Sequence, residues 1–136
     1  MNIYFSCSIT GGRSDQRVYQ TIVNTLLAAG HEVPTAILSS AEVMDLEAVV
    51  SPEEVFRRDV AWVEACDLVV AEVSTPSHGV GYEIALALCL GKPVLCFYQT
   101  GRKVSKMITG NTHERIKSTA YADEKQLVEQ LNQFLT

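Results

Sequence analysis

The run Leu68-Val69-Val70-Ala71 constrains the fold of this chain more than any other segment. It is apolar throughout, without the alternation of a strand that has one face in water, and it lies between Asp67 and Glu72. A strand of this kind is covered on both faces, which is typical of a parallel sheet with helices packed against it. The run therefore predicts an α/β fold.

Further strands and helices are predicted on either side of this run. Strands are expected at 3–5, 31–33, 93–98 and 116–121. Helices are expected from Asp15 to Gly30, at 51–65, 80–90 and 123–135, with shorter helical pieces within 41–49 and 104–108. Strands that alternate with helices favour a doubly wound, flavodoxin-like or Rossmann-like parallel sheet of five strands in the order 2-1-3-4-5, with helices on both faces.

Composition limits the class of protein. The 136 residues, 47% of them hydrophobic, predict one domain over 1–136. A net charge of −5 without a Lys/Arg cluster argues against nucleic acid or an anionic membrane as partner and favours a small ligand. No leader or membrane segment is recognisable, so a cytoplasmic protein is expected. The cysteines, predicted to be buried thiols without metal-type spacing, are Cys7, Cys66, Cys89 and Cys96.

The segment from Ser77 to Glu83 is the main candidate for a ligand-binding loop. Gly79 and Gly81 allow the backbone to approach a ligand closely, and N–H groups that open a helix suit an anion such as phosphate. Glu83 is expected in the first helical turn, where the helix dipole favours a charged carboxylate that can act as a nucleophile. The alternative is an ordinary solvated glutamate.

Asp59 is a candidate partner for that carboxylate. It borders the apolar face of its predicted helix, which is marked by Phe56, Val60 and Val63. It forms either a surface ion pair with Arg57 or Arg58, or a second carboxylate near Glu83. Two carboxyl groups about 5 Å apart support displacement at an anomeric carbon through a covalent glycosyl-enzyme.

Tyr4 and the loop after the first strand complete the set of candidates. Tyr4 is either a core aromatic or a hydroxyl that holds the nucleophile in place. The polar loop with Ser8, Thr10, Gly11, Gly12 and Arg13 suits phosphate, although such loops also occur in ordinary turns.

Together these residues resemble a known family. The motifs are Tyr4-Phe5 with Ser8-Ile9 and Gly11-Gly12-Arg13, Asp59 with Trp62, the run 67–73, Pro76-Ser77, the run 79–83, Gly91-Lys92-Pro93, Gly101-Arg102, Ser105 and Met107-Ile108. In this order they resemble the 2′-deoxynucleoside 5′-phosphate N-hydrolases, within the wider nucleoside 2-deoxyribosyltransferase superfamily.

The resemblance implies a function. Glu83 would displace the nucleobase from C1′, Asp59 would position the nucleophile or protonate the leaving base, and Tyr4 would hydrogen-bond to Glu83. Substrate would be held by Ser8, Ile9, Thr10, Gly11, Gly12, Arg13, Ser77, Gly79, Gly81, Ser105 and Met107. The resemblance also implies a nucleotide substrate, no metal or organic cofactor, and a homodimer in which Ser105 reaches the neighbouring site.

Two segments differ from mammalian members, and three other functions stay open. Thr10 replaces an arginine, and Thr35-Ala36-Ile37 replaces Thr-Glu-His near the expected base pocket. The alternatives are a nucleoside 2-deoxyribosyltransferase, a non-catalytic nucleotide-binding module, and a hydrolase of ribonucleotides.

Overall fold

The fold is built on four parallel strands. A computed structural model describes residues 1–9, 15–40 and 43–136. Within these residues the strands are β1 (Ile3–Ser6), β2 (Leu68–Glu72), β3 (Val94–Gln99) and β4 (Ile116–Tyr121), hydrogen-bonded in the order β1-β2-β3-β4. Their register aligns Ile3 with Leu68, Val69 with Val94, and Val94 with Ile116. All five residues of β2 are buried, which confirms the prediction that this strand is covered on both faces.

The expectation of five strands is wrong, because residues 31–33 form a single parallel bridge between Asn2 and Glu32. The bridge uses two backbone bonds, Ile3 N–H to Glu32 O at 2.8 Å and Glu32 N–H to Met1 O at 2.9 Å. The next donor along the chain would be Pro34, which has no N–H. The Phe5 N–H donates instead to the Thr35 hydroxyl at 2.9 Å, so the ladder stops there.

Six α-helices and one 3-10 turn are described. They are α1 (Gln16–Ala28), the 3-10 turn Ala36–Ser39, α2 (Val43–Ala48), α3 (Pro52–Ala65), α4 (His78–Cys89), α5 (Lys106–Thr109) and α6 (Glu124–Leu135). The predicted start of α3 is confirmed, since the Ser51 hydroxyl accepts a hydrogen bond from Glu54 N–H at 3.2 Å and Pro52 is the first helical residue. Such a cap stabilises a helix by about 1 kcal/mol.

Helices cover both faces of the sheet. Successive strand residues point to opposite faces, so Phe5 packs in one core with α1 and α6, while Tyr4 packs in the other with α3 and α4. Three of the four cysteines are buried as predicted. Cys89, at the end of α4, is exposed, because it lies on a face of that helix that the sheet does not cover.

Candidate active site

The carboxyl ends of β1 and β2 and the start of α4 form the candidate active site. The Ser77 hydroxyl caps α4 by accepting a hydrogen bond from Val80 N–H at 3.3 Å. Because this cap starts the helix at His78, Glu83 is the sixth helical residue and lies in the second turn. The expectation of a first-turn position is wrong, and the helix dipole contributes little at that distance from the terminus.

Burial, and not the dipole, controls the charge of Glu83. Its side chain points back along α4, so that a Cβ on Gly79 would lie 3.7 Å from Glu83 Oε1 and 3.9 Å from Ser77 Oγ. Burial raises the pKa of Glu83 to about 7, Asp59 adds to this rise, and hydrogen bonding from Tyr4 and Ser6 opposes it. Glu83 can therefore exchange a proton near neutral pH.

Two hydroxyls face Glu83 from β1. Tyr4 and Ser6 are two residues apart, so both side chains project from the same face of the strand. Both hydroxyl oxygens are buried, and neither makes a well-aligned hydrogen bond to any group in the described ranges. Catalytic hydrogen bonds are often long or misaligned before a ligand binds. Burial and the neighbouring carboxylates raise the pKa of Tyr4, which keeps it a neutral donor.

Asp59 reaches the same region from α3. Its Oδ1 accepts a hydrogen bond from Arg58 Nε at 2.8 Å, and Arg58 Nη2 donates to Glu47 of α2, also at 2.8 Å. The Arg58 guanidinium also lies 4.9 Å from the Trp62 ring centroid. Burial raises the pKa of Asp59 although Arg58 opposes the rise. Asp59 is therefore ion-paired with Arg58, and it lines the same cavity as Glu83.

Glu83 and Asp59 line one cavity of about 460 Å³, here called the carboxylate cavity. Its walls are otherwise mainly apolar, with Glu47, Val50, Pro52, Val55, Phe56, Val60, Val63, Gly79, Tyr82 and Leu86. The rings of Phe56 and Tyr82 contact edge to face, with centroids 6.2 Å apart, and more than half of each side chain is exposed. The apolar face predicted for α3 therefore packs into the core only at Val63 and otherwise forms a cavity wall.

A second cavity of about 560 Å³, here called the serine cavity, lies on the opposite face of α4. It is lined by four of the predicted substrate-binding residues, Ser77, Gly81, Ser105 and Met107. The Ser105 hydroxyl caps the short helix α5 by accepting from Met107 N–H at 3.2 Å. Ser105 and Met107 thus do not share a cavity with Glu83 of the same chain, whereas Ser77 lies at the start of α4 between the two cavities.

The loop after β1 is described in part. Ser8 is buried and Ile9 is partly buried against the core that contains α1. The other predicted members of this loop, Thr10, Gly11, Gly12 and Arg13, lie outside the described residues. The description resumes at Asp15, which is buried.

Asp15 is the centre of a polar network that the sequence analysis did not identify. Its carboxylate accepts hydrogen bonds from Arg102 Nη1 at 3.3 Å and Nη2 at 3.0 Å, from Thr75 Oγ1 at 2.8 Å, and from Gln99 Nε2 at 3.2 Å. Beneath it, the fully buried Glu72 accepts from Ser74 N–H, and burial raises the pKa of Glu72 to about 7. The sequence signal was available, since each of these residues lies at or just beyond the end of a strand or the start of a helix.

Ser6 and Glu47 were not predicted as members of the site, whereas Arg58 was named as a possible partner of Asp59. Period-two alternation from Tyr4 would have placed Ser6 beside it. Nothing in the sequence ties Glu47 to Arg58, because their contact depends on how α2 packs against α3. Within 1–9, 15–40 and 43–136, no group of three or more His, Cys, Asp or Glu side chains is arranged to hold a metal ion. No helix in those ranges is both long and apolar enough to cross a bilayer.

Sequence comparison identifies the family to which this fold and its two carboxyl groups belong. The family model described as nucleoside 2-deoxyribosyltransferase matches residues 3–134. The chain belongs to the nucleoside 2-deoxyribosyltransferase family.

Within this family the chain is similar to proteins named as nucleotide N-hydrolases. The 5-hydroxymethyl-dUMP N-hydrolase of Mus musculus is 43% identical over 129 residues, which cover 91% of this chain and 74% of the mouse protein. A protein of Methanosarcina barkeri, provisionally named 2′-deoxynucleoside 5′-phosphate N-hydrolase 1, is 37% identical over 133 residues, covering 98% of this chain and 84% of that protein.

Two solved structures share the fold. A CMP N-glycosidase of Clostridium botulinum superposes with a TM-score of 0.75 at 21% identity, covering 97% of this chain and 98% of that one. A 2-deoxyribosyltransferase of Bacillus psychrosaccharolyticus superposes with a TM-score of 0.63 at 21% identity, covering 95% and 94% of the two chains. At this identity the likeness concerns the fold alone.

Proposed function

We propose that this protein is an N-glycosidase that hydrolyses the bond between base and sugar in 2′-deoxynucleoside 5′-monophosphates, giving a free base and 2-deoxyribose 5-phosphate. The names of its relatives support hydrolysis of this bond. The observation that carries the proposal is the pair Glu83 and Asp59, two partly buried carboxyl groups with raised pKa values in one apolar cavity.

In the proposed first step, Glu83 attacks C1′ as the C1′–N bond breaks. The bonding electrons leave with the base, which takes a proton from Asp59, and an ester forms between Glu83 and C1′. The transition state has oxocarbenium character, which a carboxylate in a low-dielectric cavity stabilises electrostatically. In the second step water attacks C1′, loses its proton to Asp59 and frees Glu83.

The protonation states of Glu83 and Asp59 suit these two reaction steps when the carboxyl groups are treated as a pair. Burial raises the pKa of both groups, and carboxyl groups that interact titrate together, so one proton can be shared by the pair. The reactive form has that proton on Asp59 and a carboxylate on Glu83. Tyr4 and Ser6 favour this form, because their hydroxyls donate to the charged state of Glu83.

Phosphate binding at the opening of α4 would align the sugar. Ser77 Oγ accepts from Val80 N–H, which leaves its own hydrogen free to donate to a phosphate oxygen. The Ser8 to Arg13 loop is proposed as the second part of this site. Binding energy from a phosphate remote from the reacting bond can then be used for alignment. The base would lie against the apolar wall with Phe56 and Tyr82.

The proposal is tested by incubating the protein with a panel of nucleoside and deoxynucleoside 5′-monophosphates and measuring released base by chromatography. Glu83→Gln removes the nucleophile with little change in shape and is expected to lower kcat about a thousandfold or more. Glu64→Gln, an exposed glutamate of α3, is the matched control. Base release by Glu83→Gln at the wild-type rate would exclude the mechanism.

The same assay separates the other candidate functions. A transferase would release little base from one deoxynucleoside alone and would form a new nucleoside when a second base is added. A non-catalytic binding module would bind the panel without releasing base. Release from ribonucleotides at a similar rate would extend the substrate class to ribose.

We also propose that the protein forms a homodimer, that each chain is a single domain, and that it is located in the cytoplasm. Ser105 lies in the serine cavity and not with its own Glu83, which supports a role towards a neighbouring subunit. Mixing Glu83→Gln with Ser105→Ala subunits tests this, because a shared site would regain activity in mixed dimers. Light scattering gives the mass, and a monomer would contradict the proposal.

A further inference from the structure

Arg102 lies where the segments after three strands meet. It follows β3, and its guanidinium contacts Thr75, which follows β2, and Asp15, which begins the helical segment after β1. These residues are 27 and 87 positions away in sequence. One side chain therefore connects both segments in which phosphate-binding residues are predicted, since Asp15 follows Arg13 by two residues and Thr75 precedes Ser77 by two.

The hydrogen bonds around Arg102 form a closed set. Nη1 donates to Asp15 Oδ1 at 3.3 Å and to Gln99 Oε1 at 3.1 Å, while Nη2 donates to Asp15 Oδ2 at 3.0 Å and to Thr75 Oγ1 at 3.1 Å. Thr75 and Gln99 in turn donate to the same carboxylate. Each polar group thus restricts the orientation of its neighbours. The planar guanidinium adds to this, because its two contacts with the Asp15 carboxylate are bidentate.

This arrangement distinguishes Arg102 from a phosphate ligand. A guanidinium has five N–H donors, and four of them are used inside the network. Its charge is opposed by Asp15, whose side chain is only 5% exposed. The Arg102 side chain is itself 35% exposed, so the ion pair is held by this bidentate geometry and not by deep burial. Arg102 is therefore suited to hold other residues and not to bind an anion directly.

We propose that Arg102 is a positioning residue for binding of the 5′-phosphate. Through Asp15 and Thr75 it fixes the start of α1 and the segment after β2 relative to each other, so that the Ser77 hydroxyl is held where it can donate to the phosphate. This inference rests on the proposed function for its ligand, and it adds a residue that does not itself contact the substrate.

The test compares Arg102→Ala, Arg102→Lys and Asp15→Asn with wild type. The probe is 2-deoxyribose 5-phosphate, which the enzyme does not consume, and calorimetry gives its Kd. Arg102→Ala and Asp15→Asn are expected to weaken binding at least tenfold, and Arg102→Lys to weaken it less, because lysine keeps the charge but loses the fork. Arg17→Ala is the matched control, since it removes an exposed arginine that pairs with Glu124 at 2.9 Å.

A second readout separates positioning from general loss of structure. In base release from the 5′-monophosphate, Arg102→Ala is expected to raise KM at least tenfold and to change kcat less than threefold. An equal fall in kcat, or an unchanged Kd, would overturn the inference, as would absence of 2-deoxyribose 5-phosphate binding by wild type. Failure of the proposed function is a different result, namely binding of this probe by a wild-type protein that releases no base.

Discussion

Replacing Tyr4 by phenylalanine should move the pH dependence of catalysis without removing activity. The acid limb of kcat/KM reports ionisation of the free enzyme, and for wild type it should lie at about 7, the pKa to which burial raises Glu83. Below this pH the rate falls tenfold per unit, because only the carboxylate attacks. Tyr4→Phe removes a hydroxyl that favours the carboxylate while the ring, which is fully buried, stays in place.

The size of the shift follows from the interaction of the Tyr4 hydroxyl with charged Glu83, which is not well aligned in the free enzyme. A well-aligned hydrogen bond to a charged group contributes about 1.5–3 kcal/mol, so loss of this weaker one should raise the pKa by up to about one unit. The limb should therefore move up to about 8, with activity at pH 6 lowered up to about tenfold and activity at pH 10 close to that of wild type.

The assay is base release over pH 5–10 at low substrate concentration. The second phosphate pKa of the substrate, about 6, affects both enzymes alike, so the difference between their limbs isolates Glu83. Tyr121→Phe is the matched control, because Tyr121 is also buried but lies in the other core. The reasoning is refuted if the Tyr4→Phe limb coincides with that of wild type, lies at lower pH, or is matched by Tyr121→Phe.

Two further changes test the electrostatics and packing of the site. Glu72 has its pKa raised from 4.5 to about 7, so its charged form opposes folding, and stability is lost as pH rises between these values. The free energy of unfolding of Glu72→Gln, measured in urea relative to that of wild type, should therefore rise by about 3 kcal/mol between pH 4 and pH 8. A difference that does not change with pH would contradict this. Gly79→Ala should fold normally, and its free energy of unfolding should rise by up to about 1 kcal/mol. The added methyl makes ordinary contacts, 3.7 Å from Glu83 Oε1 and 3.9 Å from Ser77 Oγ. Because that methyl lies between Glu83 and Ser77, kcat/KM should fall at least about tenfold, and unchanged kinetics would show that substrate does not pass this point.

Local features were predictable from sequence where one segment determines them. The burial of β2 and the cap of α3 depend on residues within a single run, and both predictions are confirmed. The prediction of a second strand at 31–33 is wrong because Pro34 and the Thr35 side chain end its pairing. Neither effect is visible in an apolar pattern. The position of Glu83 was misjudged by one turn because Ser77 caps α4 earlier than the apolar pattern begins.

Features that depend on contact between distant segments were predicted only in part, since Asp59 was proposed near Glu83 but the Arg102–Asp15 pair was not. Arg102 and Asp15 meet only because the sheet brings the ends of its strands together. The apolar face of α3 could be located from sequence but not its use, because apolar residues serve equally well in a core or as the wall of a ligand cavity, and Phe56 is 56% exposed. The environment of Glu83 likewise reverses the expected effect of the helix dipole, because burial dominates its pKa.

The early end of pairing at Pro34 has a consequence for how such enzymes diversify. The described residues of 36–40 and 43–50 belong to no strand, yet they supply Glu47 and Val50 to the carboxylate cavity. A strand cannot change length without moving every residue after it to the opposite face, whereas a segment outside the ladder can. Insertions and deletions between 36 and 50 would therefore reshape the wall of the carboxylate cavity, and through Glu47 and Arg58 the surroundings of Asp59, while leaving the sheet unchanged. New ligand preferences are accessible here through changes of length as well as through substitution.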